Sequence, residues 1–225
     1  MASHSATKEE FMKIFKQINS VYFSDIIGFW ILGSHFHLLV KRFPGHQFND
    51  EEIKNRFARF YGNEAELGED KIDQYREKWS NLSELIKEIK QQFSKFYNKR
   101  HNRRGTLWGE RFKSVIVEEG GAMINCLAYI DLNPVQGDIV KKPEDYRWSL
   151  LGYHIQSYIS NQAYPVRKPG WFFVHRLRTD GIQRHGWKRA IKKISAICVW
   201  SRVVEASRQT ISGIWIILPS LDCLW

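Results

Sequence analysis

The chain has 225 residues, 43% of them apolar and 26% charged, and a formal net charge of +10. This is ordinary globular composition and excludes a wholly disordered or collagen-like protein. The longest apolar stretch, Ile211 to Leu218, is broken by Ser212 and Gly213, so no membrane-spanning helix is expected. The first residues show no basic segment leading into an apolar one, and Cys126, Cys198 and Cys223 form no CxxC pair, which together favour a cytoplasmic protein.

Charge is unevenly placed. Residues 1–94 carry net −1, 95–113 carry +6, 114–160 carry −3 and 161–225 carry +8. Two concentrated positive blocks point to a polyanionic partner, and nucleic acid is the leading candidate.

In chain order, Phe11, Ile14, Phe15 and Ile18 fall at helical spacing and predict an opening amphipathic helix. The following DIIGFWILGSHFHLLVKRF is rich in β-branched and aromatic residues, turns at Gly33-Ser34 and ends at Pro44-Gly45, so it reads as extended strand. Residues 50–97 are charged and periodic, a helical insertion with Asn81 or Ser83 as a cap. A basic loop, HNRRGTLWGERFKS, leads into the strand SVIVEE. After Gly120-Gly121, residues 123–133 predict a helix stopped by Pro134, because proline cannot continue the hydrogen-bond ladder.

The chemistry begins at His35-Phe36-His37. Residues two apart in a strand project to the same side, so both imidazoles share a face and Phe36 takes the other. Such a pair can hold a divalent cation once a third ligand joins it, and an HxH triplet alone is more often incidental. In the helix, Tyr129 and Asn133 lie four apart and one turn from each other. Tyr-x-x-x-Asn alone equally describes a packed tyrosine and a helix-closing asparagine. The basic loop sets Phe93, Phe96 and Tyr97 before Lys99, Arg100, His101, Arg103 and Arg104, and Trp108 before Arg111 and Lys113. Cations of this kind track a nucleic-acid backbone and aromatics stack unpaired bases. Trp108 suits either stacking or the core, and Phe112 suits the core.

The stretches FWILGSHFHLLV, FSKFYNKRHNRRGTLWGERFKS and LAYIDLNPVQGDIVKKPEDYRWSLLGYH, in that order, resemble the single-tyrosine HUH transposases, specifically the REP-associated tyrosine transposases. The resemblance runs from about Ile26 to His154. It implies an α+β fold, a ferredoxin-like antiparallel sheet with helices on one face and the tyrosine helix against the histidine strand. It implies His35, His37 and Asn133 as ligands of Mg2+ or Mn2+, and Tyr129 as the nucleophile. The basic loop itself offers Lys99, Arg100, Arg103, Arg104, Trp108, Arg111 and Lys113 as DNA-binding residues.

The activity implied is metal-dependent cleavage and rejoining of single-stranded or hairpin DNA through a 5'-phosphotyrosine, by a monomer or a homodimer. The alternative is a non-catalytic single-stranded nucleic-acid binder, or a decayed transposase remnant. Family chains commonly open with a strand ahead of the first helix and place Asn before the first histidine, where Ser34 stands here, so the sheet is expected to be one strand short. The catalytic domain is expected over 1–160. The basic tail, 161–225, holds five of the nine tryptophans and has no assigned role; in it WKRAIKKISAICVW reads as a basic amphipathic helix.

Overall fold

A computed structural model describes residues 2–33, 35–109, 112–118, 121–159 and 214–218. The element order is α1 (Ala2–Asn19), β1 (Ser24–Ile31), β2 (Phe36–Arg42), α2 (Asp50–Tyr61), α3 (Ile72–Ser80), α4 (Leu82–Arg100), β3 (Lys113–Val117), α5 (Gly121–Gln136), α6 (Leu150–Ile159) and β4 (Ile214–Leu218). The protein is α+β. The expected basic helix at 187–200 lies outside the described residues. Among the described residues no helix is long and apolar enough to cross a membrane.

The strands run β1-β2-β4-β3, each neighbour antiparallel to the next. β1 and β2 form a hairpin whose turn is closed by Leu32 N–H donating to His35 O at 2.8 Å. The register then pairs Ile31 with Phe36 and Trp30 with His37. The backbone of β4 lies between β2 and β3, pairing with Leu38–Lys41 on one side and Lys113–Val117 on the other.

Strand alternation sorts the side chains into two cores. Phe29, Ile31, Phe36, Leu38 and Val40 face α1 and α4. Trp30 and Leu39 face Cys126, Leu127 and Ile130 of α5, with Val117 and Tyr146 beside them. Helices therefore cover both faces, not one as expected. The reason lies in 50–97: α4 is no peripheral insertion, because Phe93 packs on Phe11 at 5.1 Å and Phe11 on Phe36 at 5.0 Å. α1 and α4 together fill one face, which leaves α5 the other.

Gly28 permits that second layer. A Cβ there would meet Leu127 Cδ2 at 2.8 Å, and the strand is irregular between Ile26 and Gly28. Glycine lets the helix approach the backbone.

α5 also departs from expectation by passing through Pro134 to Gln136. Proline is tolerable there because it costs one ladder bond close to the helix end. Asn133 Nδ2 donates to Tyr129 O at 2.8 Å, and Pro134 O accepts from Ile139 N–H at 2.9 Å, closing the last turn.

Candidate metal and nucleophile site

The hairpin register and the helix meet on one side of the sheet. The His35 and His37 ring centres are 5.2 Å apart, and Tyr129 stands beside the pair, its ring 6.1 Å from that of His37 and tilted by only 18°. His37 is buried and its Nδ1 has no hydrogen-bond partner among the described atoms. Burial, reinforced by the neighbouring His35, pushes the His37 imidazole down to about 3, and burial lowers His35 as well. Burial thus favours the neutral form of both rings, the form that binds metal.

The ring spacing can be tested against a shared cation. With metal–nitrogen bonds of about 2.1 Å, a ligating imidazole centre lies roughly 3.3 Å from the metal, so two such rings stand about 4.7 to 5.4 Å apart for angles of roughly 90 to 110°. The observed 5.2 Å falls inside that range. The spacing of the two rings is therefore compatible with one shared ion.

Asn133 is half-buried, and its amide nitrogen is committed to Tyr129 O. Its Oδ1 is thus the atom able to ligate. Among the described residues no group of three His, Cys, Asp or Glu side chains could hold a metal. Hard oxygen donors from substrate and water suit Mg2+ or Mn2+.

Trp30 is a neighbour that reading the sequence missed. Its indole lies 5.1 Å from His35 and 5.0 Å from His37, nearly perpendicular to both. A signal existed: counting back from a two-residue turn at Gly33-Ser34 pairs position 30 with 37. His35 also lines a cleft together with Thr7, Lys8, Phe11, Gly33 and Trp108.

The basic block ends α4 and forms the turn after it. Lys99, Arg100, Arg103, Arg104 and Lys113 are exposed. Asn98 shapes the turn, its Nδ2 donating to Gly105 O at 2.7 Å and its carbonyl accepting from Arg103 N–H at 2.9 Å. Arg111 and Ser34 lie outside the described residues.

Trp108 is a correction. It is buried, its ring meets Phe36 edge-on at 5.7 Å and Phe93 at 6.0 Å, and Nε1–H donates to Lys90 O at 3.0 Å and Ser94 Oγ at 2.9 Å. A buried indole needs a partner for its N–H and this one has two, so the side chain anchors the loop.

No family model matches the chain, and no curated protein and no solved structure matches it either.

Proposed function

We propose that the protein cleaves and rejoins single-stranded DNA through a covalent bond to Tyr129, aided by a divalent cation on His35, His37 and Asn133. One observation carries the reading: a tyrosine and two imidazoles, delivered by elements far apart in sequence, converge on one face. Neither motif alone would distinguish a site from incidental packing.

His35 and His37 offer nitrogen lone pairs, and Asn133 an amide oxygen. A bound Mg2+ or Mn2+ supplies Lewis-acid polarisation of a phosphate oxygen. Tyr129 Oη attacks phosphorus, forming the O–P bond as the bond to the 3' oxygen breaks; the phenolic proton goes to solvent and the leaving oxygen takes one up. The phosphotyrosine retains the energy of the broken linkage, so a 3' hydroxyl can reverse the step without another energy source. The exposed cations of the 99–104 turn hold the strand by its phosphates.

The test uses single-stranded and hairpin oligonucleotides labelled on the 3' side, incubated with Mg2+ or Mn2+ and then denatured. A labelled protein band is expected from wild type and none from Tyr129→Phe. An adduct of equal yield in both proteins removes Tyr129 as nucleophile. A gel shift without any adduct favours the non-catalytic binder.

A further inference from the structure

Resting on that reading of the site, we infer that Trp30 is a positioning residue that sets the spacing of the His35 and His37 imidazoles for a shared cation. The indole is the one described aromatic ring in contact with both, at 5.1 and 5.0 Å, with interplanar angles of 70° and 74°. Edge-to-face contact on two rings at once restricts the rotamers of each, and a ligand pair is useful only while both lone pairs aim at one point.

Its backbone is held on both sides. Trp30 pairs with His37 across the hairpin, and on the opposite edge it bridges Ser149 while Ile31 N–H donates to Trp148 O at 2.9 Å. Below it, Leu39, Leu127 and Ile130 share its cluster. The indole is 4% exposed, and its Nε1 has no hydrogen-bond partner among the described atoms. A phenyl ring would fill most of the same space without leaving a buried donor unpaired, so hydrogen bonding within the fold gives no reason for tryptophan here. Contact with the two imidazoles does.

The experiment measures Mn2+ binding to the full chain from the electron paramagnetic resonance signal of free Mn2+, for wild type, Trp30→Phe and Trp30→Leu. Urea denaturation of each protein establishes the folded fraction. Binding to wild type is expected to be weakened severalfold in Trp30→Phe, which keeps part of the ring edge, and more than about tenfold in Trp30→Leu, which has none. A merely structural role would move the urea midpoint and leave the affinity of the folded protein unchanged. Equal affinity across the three overturns the inference while the metal reading stands. Absence of binding to wild type overturns both.

Should neither variant fold, wild type labelled with 5-fluorotryptophan still decides. Several of the nine fluorine resonances should broaden at substoichiometric Mn2+, that of Trp30 first, as an indole in contact with both ligands requires. Uniform behaviour of all nine would exclude Trp30 from the ion's surroundings.

Discussion

The ring of Tyr129 on α5 lies 6.1 Å from that of His37 on β2, nearly parallel to it. This juxtaposition separates two losses that activity alone would confuse. Tyr129→Phe keeps the ring and its packing and removes only the attacking oxygen. It should abolish the covalent adduct while DNA affinity stays within about twofold of wild type and Mn2+ affinity is unchanged. His35→Ala should keep the nucleophile and weaken Mn2+ binding by more than about tenfold. Free Mn2+ measurements and adduct gels on both variants check the pair, and weakened Mn2+ binding in Tyr129→Phe would contradict it.

Binding should depend steeply on salt. Arg100, Arg103 and Arg104 are exposed at the end of α4 and in the following turn. Each phosphate contact on a single strand contributes about −0.7 to the slope of log K against log salt, so replacing all three by Ala should flatten the slope by about 2. Exposed substitutions of this kind change stability little. Fluorescence anisotropy of a labelled oligonucleotide between low and moderate salt gives the slopes. An unchanged slope would place the binding surface elsewhere on the chain.

The strands and the histidine face were legible because period-two alternation and a Gly-Ser turn leave little choice: Phe36, Leu38 and Val40 go one way, His37 and Leu39 the other. The role of α4 was not legible, since an amphipathic helix shows which face it buries but not what it buries that face against. Pro134 misled for a different reason. Pro134 lies near the C-terminus of α5, where the lost bond is cheap and the chain turns within a few residues. Trp108 was undecidable because aromatics among cations look alike whether they stack bases or anchor a loop; the deciding contacts, Lys90 O and Ser94 Oγ, lie on another element. Tyr129 and Asn133 could be placed on one helix face, but nothing in their spacing shows that Gly28 admits that helix to the sheet.

Trp108 therefore supplies a prediction about stability. Trp108→Ala should cost about 3 to 5 kcal/mol, the usual range for removing a large buried aromatic. Trp108→Phe should cost less, keeping contact with Phe36 and Phe93 but losing the bonds to Lys90 O and Ser94 Oγ. Urea denaturation measures both. DNA affinity of folded Trp108→Phe should match wild type, and selective loss of affinity with unaltered stability would show that the ring contacts DNA.

Asp131 predicts a pH dependence of folding that is independent of catalysis. It is a buried carboxyl on α5 that accepts a bond from the backbone of Leu151, while its Oδ1 has no hydrogen-bond partner among the described atoms. Burial, only partly opposed by the Leu151 bond, pushes it up to about 7. The unfolded carboxyl ionises near its ordinary value of 3.8, so between that pH and about 7 the folded chain holds a proton that unfolding releases. Stability from this group is complete at low pH, falls as pH rises through the window and levels off above it. At about 1.4 kcal/mol per pH unit the loss reaches at most about 4 kcal/mol. Asp131→Asn keeps an oxygen to accept from Leu151 and cannot ionise, so it should match wild type near pH 4 and exceed it in stability at pH 8. Urea midpoints for both proteins from pH 4 to 8.5 test this. A difference that stays constant across the series would mean that Asp131 does not titrate in the window, and a variant less stable than wild type at pH 8 would mean that the carboxylate has a cationic partner in the folded chain.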